Sequence, residues 1–146
     1  MSQGNPKLKA NMLSVGDSRD QVVADNLTRT QIVQYAGASG DFNPVHHDES
    51  FAKQAAGYPS VFAHGMLTMG MTGRLLTDWF GDGVLTEYGV RFVRQVWPGD
   101  TLTARGTVTA IRKEGEQGSV ELELVTENQK GEAVVQGTAV AALPLQ

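Results

Sequence analysis

A carboxylate, an amide and an imidazole lie within six residues of one another, at Asp41, Asn43 and His46. The stretch before them, Tyr35-Ala36-Gly37-Ala38-Ser39-Gly40, leaves a helical pattern through glycines, and Pro44 bends the chain just beyond Asn43. A turn brings such groups to one small volume. There a carboxylate beside an imidazole can take a proton from one atom while giving one to another. The same residues also have a local reading: Asp and Asn form turns through their own side-chain hydrogen bonds, and a histidine can simply pack. A second feature is Ala63-His64-Gly65-Met66, at the start of the longest helical segment. The first amides of a helix lack internal partners and sit at the positive end of its dipole. With glycine there, an oxygen can approach without meeting a Cβ, so the amide could hold a carbonyl oxygen gaining negative charge. The other reading of Gly65 is close packing alone.

Other chemistries fail on spacing. His46-His47-Asp48-Glu49 carries potential ligands, but adjacent residues rarely converge on one ion and no known ligand spacing is present, so no metal is expected. His47 is expected to be exposed and His64 to be a hydrogen-bonded structural residue. Glu121 and Glu123 read as the solvated face of a strand. No glycine-rich loop is followed by Gly-Lys-Ser/Thr, and neither GxGxxG nor GxSxG occurs. Zero cysteines exclude a disulfide scaffold, thiolate-bound zinc and a cysteine nucleophile.

The elements that must position these residues are set by capping and periodicity. Thr28-Arg29-Thr30-Gln31 matches a capping box, and Ile32, Val33, Tyr35 and Ala36 form one face of a helix ending at Gly37 or Gly40. A short helix is expected from Asp48 to Ala56, stopped by Gly57 and Pro59. The segment 63–80 is the longest helix, with Leu67, Met71 and Leu75 on one stripe; being apolar nearly all round, it is expected to be buried. Gly65, Gly70 and Gly73 within it cost about 1 kcal/mol each relative to alanine, which implies close approach by neighbours. Arg74 and Asp78 form its solvated end. After Gly81 the period becomes two, predicting strands over 84–93, 102–110, 120–124 and 133–142, with a weaker one over 19–25. Short polar connections predict antiparallel hairpins and a meander. A buried helix with such strands predicts an α+β fold whose sheet wraps the helix, and open sheet edges predict pairing with a second copy.

At 146 residues the chain is sized for one domain, expected over 12–146 after a flexible polar tail at 1–11. Hydrophobic residues at 40% and charged residues at 19% are ordinary for a globular protein. A net charge of −4 argues against a broad nucleic-acid or anionic-membrane surface. No apolar run approaches the roughly 20 residues of a spanning helix, and residues 1–7 lack an apolar leader, so a cytoplasmic protein is expected.

Tyr35 to His46 (YAGASGDFNPVH), Asp48 and Ala52, Ala63 to Met66 (AHGM), and Val90 to Asp100 (VRFVRQVWPGD) together resemble a known family. It is the MaoC-like family of (R)-specific enoyl-CoA hydratases and (3R)-hydroxyacyl-thioester dehydratases, and the resemblance extends over roughly Leu13 to Leu143. It implies the hot-dog fold, an antiparallel sheet wrapped around one long central helix and paired into a dimer. It also implies reversible addition of water across the 2,3-double bond of an enoyl thioester, carried on CoA or acyl-carrier protein, without cofactor or metal. Asp41 and His46 match the family's catalytic dyad, and Gly65 matches the residue whose backbone N–H meets the thioester oxygen. Asn43 sits in the motif as a residue that orients the dyad. The implied partner is a second copy, or a related hot-dog subunit in a heterodimer. One departure is Gly73, where some family members carry a hydroxyl; Thr72 beside it points elsewhere on an ideal helix. Two other readings belong to the same fold. A thioesterase would carry its working carboxylate on the long helix, whose first half has none. A non-catalytic partner subunit would have no need of Asp41, His46 and Gly65 together. Arg91, Arg94 and Arg105 are candidates for a pantetheine-linked phosphate, and equally for surface ion pairs.

Overall fold

Alternating apolar and polar residues drive much of the chain into strands. In the computed structural model, which describes residues 8–146, these are β1 (Ser18–Ala24), β2 (Leu85–Phe92), β3 (Leu102–Glu114), β4 (Gln117–Glu127) and β5 (Ala133–Pro144). They form one antiparallel sheet in the order β1-β3-β4-β5-β2. Its inner face packs on α2 (Gly65–Phe80), the helix expected at 63–80. This is the expected α+β arrangement, a sheet wrapped around one long helix.

β3, β4 and β5 form a meander, but β2 does not join it as a hairpin with β3. It pairs instead with β5 at the far edge, and β1 takes the place beside β3. The turn at Trp97–Asp100 forms as expected, with Asp100 Oδ2 accepting from the Trp97 amide at 2.9 Å. The backbone around it is engaged elsewhere, which prevents a hairpin. Leu27 exchanges bonds with Asp100 (2.8 Å) and Gly99 (2.7 Å), and the Ala63 amide donates to Val96 (2.8 Å).

The core is divided by α2. Leu75 joins Leu27, Ile32, Leu102 and Val134, whereas its neighbour Leu76 joins Phe80, Leu122 and Leu143. Each fully buried leucine is worth about 1.5–3 kcal/mol. The helix is not enclosed all round in the single chain, contrary to its apolar pattern. Met66, Gly70, Arg74 and Asp78 lie on one exposed stripe, because i, i+4 positions share a face; among the described residues β1 reaches it only at its far end, at Asp78. A Cβ added at Gly70 would accordingly meet nothing within 4 Å, while one at Gly73 would meet the Tyr88 ring at 3.4 Å. Tyr88 Oη donates to the Met69 carbonyl at 2.5 Å, and burial pushes its hydroxyl pKa up to about 12. Asp78 is not simply solvated: it accepts from Gln21 Nε2 at 2.6 Å.

Of the expected tail over 1–11, residues 1–7 lie outside the described part. The remainder is not loose. Ala10–Met12 forms a 3-10 turn, Ala10 is buried, and the Asn11 amide donates to Leu145 at 3.3 Å. Leu8, Ala10 and Leu13 are apolar enough to pack on the sheet, so the packed domain reaches back before residue 12.

Candidate active site

The first helix, α1 (Arg29–Ser39), opens on the expected capping box. Thr28 Oγ1 accepts from the Gln31 amide at 3.1 Å, and Gln31 Oε1 accepts from the Thr28 amide at 2.9 Å. It ends at Gly40, the later of the two candidate glycines, whose φ of 75° is left-handed. A residue with a Cβ resists that conformation, so glycine is what lets the chain swing out of the helix directly into Asp41.

Two short-range side-chain bonds then fold the motif back on itself. Asp41 Oδ1 accepts from the Asn43 amide and Asn43 Oδ1 from the Val45 amide, both at 3.2 Å. The second bond caps a 3-10 turn over Pro44–His46. Asp48 Oδ1 accepts from the Phe51 amide at 3.0 Å and heads a short helix that ends in a wide π turn at Phe51–Ala55. Asp41, Asn43 and His46 are thus brought together in one turn, with Asn43 shaping the backbone between the other two.

His46 Nδ1–H donates to the Phe62 carbonyl at 2.7 Å, a role assigned because a carbonyl can only accept. Its Nε2 is therefore the nitrogen with the free lone pair, and it lies 3.9 Å from Asp41 Oδ2. That gap is too long for a direct hydrogen bond, but an oxygen bonded to both atoms would subtend about a right angle between them. The His46 side chain is 9% exposed, whereas the Asp41 side chain is 51% exposed. Burial holds the His46 pKa below the ordinary 6.5. The bond to Phe62 opposes that, and His64, Asp41 and His47 add smaller effects of both signs.

His64 ends the approach to α2. Its ring stacks on His46 with centroids 3.8 Å apart, and its Nε2–H donates to the Asp41 carbonyl at 3.0 Å. Gly65, the next residue, begins α2. The His64 carbonyl takes the amides of Leu67 and Thr68, at 3.1 and 3.3 Å, so the amides of Gly65 and Met66 precede the helical ladder. A Cβ on Gly65 would come within 3.0 Å of the Phe92 ring, so close packing is also present at this glycine. Gly65 lines a cavity of about 280 Å³ with Phe62, Thr68, Phe92, Val93 and Val135; Asp41 and His46 are not among its walls.

Asp41, His46 and His64 have potential ligand atoms all within 4.8 Å of one another. They do not fit a cation. Imidazole rings stacked at 3.8 Å with 27° between planes keep their in-plane lone pairs from converging on one point. The cluster is invisible in the sequence because His64 lies 18 residues beyond His46. The Phe62 carbonyl, which orients the His46 ring, has no sequence signal at all. His64 is legible as a hydrogen-bonded residue, but its stacking on His46 is not.

The remaining candidates lie elsewhere. Arg105 forms a two-pronged bond to Asp20 at 2.8 and 3.1 Å, and Arg94 lies 3.9 Å from Glu132, so both have surface acidic partners. Arg91 lines a shallow groove of the sheet shared with Arg105 and Glu123. His47 is exposed, as expected, and its Nε2–H donates to the Phe42 carbonyl at 3.1 Å. Thr72 turns into the sheet and pairs with Thr126 at 2.6 Å, so it does not replace the hydroxyl missing at Gly73.

The chain matches the family model described as MaoC like domain over residues 10–130. It is 33% identical over 116 residues to the (R)-specific enoyl-CoA hydratase of Aeromonas caviae, covering 78% of this chain and 84% of that enzyme. It is 46% identical over 68 residues to 3-hydroxyacyl-thioester dehydratase Y of Mycobacterium tuberculosis, covering 44% of this chain and 23% of that protein. The chain spans less than a quarter of the length of five of the relatives it matches. Among solved structures, an R-hydratase from Pseudomonas aeruginosa superposes with a TM-score of 0.81 and 26% identity, over 96% of this chain and 88% of that one.

Proposed function

The chain belongs to the MaoC-like domain family, and on that premise we propose that it adds water reversibly to trans-2-enoyl thioesters, giving (R)-3-hydroxyacyl thioesters. The observation that carries this reading is His46 Nε2, which faces the Asp41 carboxylate at 3.9 Å while Nδ1–H is held by Phe62. In hydration His46 takes a proton from the water whose oxygen adds to C3. Electron density moves onto the thioester oxygen, held by the Gly65 amide. The proton passes from His46 to the Asp41 carboxylate and from there to C2, which returns both groups to their starting states. Dehydration runs the same steps backward. An oxyanion donor of this kind is worth about 3–4 kcal/mol, and a positioned acid or base roughly 10²–10⁴-fold in rate.

Asn43 acts on the turn rather than on protons, and the cavity beside Gly65 takes the thioester end of a CoA or acyl-carrier substrate. The active form is a dimer with a second copy, supported by Met66, Phe92 and Val93, which are 56, 47 and 43% exposed around the start of α2. A thioesterase reading lacks support, because the sole carboxylate of α2, Asp78, is held by Gln21 at the far end.

The test is a panel of trans-2-enoyl-CoA substrates of increasing length, with product configuration read by chiral chromatography. The expected product is the (R)-3-hydroxyacyl thioester. Asp41→Asn and His46→Gln each lower kcat by roughly 10²–10⁴-fold with unchanged circular dichroism. Wild-type turnover in both variants, or release of free thiol in place of hydration, overturns the reading.

A further inference from the structure

His64 is buried at 2% exposure, yet its Nδ1 has no hydrogen-bond partner. An orphaned buried acceptor carries a cost that a phenyl or leucyl side chain would avoid, so filling space does not explain an imidazole here. The rest of the ring is fully engaged. Nε2–H donates to the Asp41 main-chain carbonyl at 3.0 Å, and one face stacks on His46 at 3.8 Å with 27° between planes. Tyr35 of α1 meets it edge-on at 4.8 Å. His46 is itself met edge-on by Phe62 at 5.2 Å, so Tyr35, His64, His46 and Phe62 form one aromatic column. The His64 backbone is also the N-cap of α2, one residue before the Gly65 amide.

We propose that His64 is a positioning residue, whose donor to the Asp41 carbonyl and ring stack on His46 hold the dyad in register with the start of α2. The inference rests on the hydratase reading for its effect on turnover, but not for the geometry itself. Rotation of His46 is limited by the Phe62 carbonyl at one ring atom, and the His64 face limits the remaining swing. Without the Nε2–H donor, the Asp41 turn loses its tie to α2. A misplacement of about 1 Å between reacting groups is enough to cost roughly 10²-fold in rate. His64 also acts on the charge of His46: together with His47 it disfavours the protonated ring, while Asp41 and the Phe62 bond favour it.

Two variants separate these contributions. His64→Phe keeps a stacking ring and removes the donor; His64→Gln keeps an N–H donor and removes the ring. In His64→Phe, kcat falls roughly 10–100-fold with KM changed less than about threefold, and His64→Gln recovers part of the loss. In both, the titration of the His46 ring, followed by NMR, moves to higher pH, because a neighbouring imidazole that disfavours its charge is gone. The NMR readout needs no turnover, so it decides the geometry even if no enoyl thioester is hydrated, an outcome that would sink the hydratase reading instead. Should His64→Phe not fold, the same titration is read in His64→Gln. An unmoved His46 titration, or wild-type kcat in a folded His64→Phe protein, overturns the proposal.

Discussion

His46 can act as a base only while its ring is uncharged near neutral pH, and its surroundings favour that state. Burial is the largest influence, lowering the pKa below 6.5 against the bond to Phe62. Both activity and stability then depend on pH with a definite sign. The acid limb of kcat/KM for hydration lies below pH 6.5, where a free histidine would titrate. In folding, the unfolded chain binds more protons than the native state as pH drops through 6.5. The His46 contribution to stability is therefore fully present above that value and lost as pH falls toward the lower native pKa. A pH–rate profile and urea midpoints between pH 5 and 8 check both, and an acid limb at or above 6.5 would contradict the assignment of His46 as base. At this scale Asp41, Asn43 and His46 are legible because the bonds joining their turn reach only two residues along the chain. The carbonyl that fixes the tautomer of His46 belongs to Phe62, 16 residues away, and no spacing rule points to it.

The element that delivers Asp41 is α1, and its two glycines near the exit have different roles. Gly37 lies inside the helix, and a Cβ added there would meet nothing within 4 Å, whereas Gly40 sits past the end at φ 75°. Gly37→Ala should raise stability by about 0.5–1 kcal/mol through helix propensity. Gly40→Ala should lower it by about 1–2 kcal/mol, since an L-residue resists the left-handed region. It should also reduce kcat, because the backbone swing that places Asp41 is strained. Urea denaturation and steady-state kinetics on the two variants read this contrast. Equal effects at both glycines would show that the helix exit does not position the dyad. The capping box is readable from Thr28 and Gln31, but the choice between Gly37 and Gly40 is not, because both fit a helix stop. The position of β2 beside β5 is equally hidden, since its edge is set by which distant strand offers free backbone groups.

On the scale of the whole molecule, the unequal cover of α2 is the main feature. Its sheet-facing side carries Leu75 and Leu76 at 0% exposure, while Met66 on the open stripe is 56% exposed, one residue after Gly65, whose cavity the exposed Phe92 and Val93 line. Apolar side chains clustered in this way mark an association surface. Met66→Lys is therefore expected to convert a dimer into a monomer in sedimentation velocity, with helix content retained. A variant that sediments as the wild type would place the interface elsewhere. Because the stripe begins one residue after Gly65, loss of the partner is also expected to lower activity.

The amino-acid order alone settled whatever depends on neighbours along the chain. This includes the cap at Thr28, the Asp41–Asn43–His46 turn, the alternation that makes strands, and the long apolar helix with a glycine at its head. These features are local, so a few residues suffice to specify them. Tertiary packing decided which face of α2 is left open, where β2 pairs, and that His64 and Phe62 close around His46. Those contacts join segments far apart in the chain, and their geometry is chosen by how the sheet and helices fill space together.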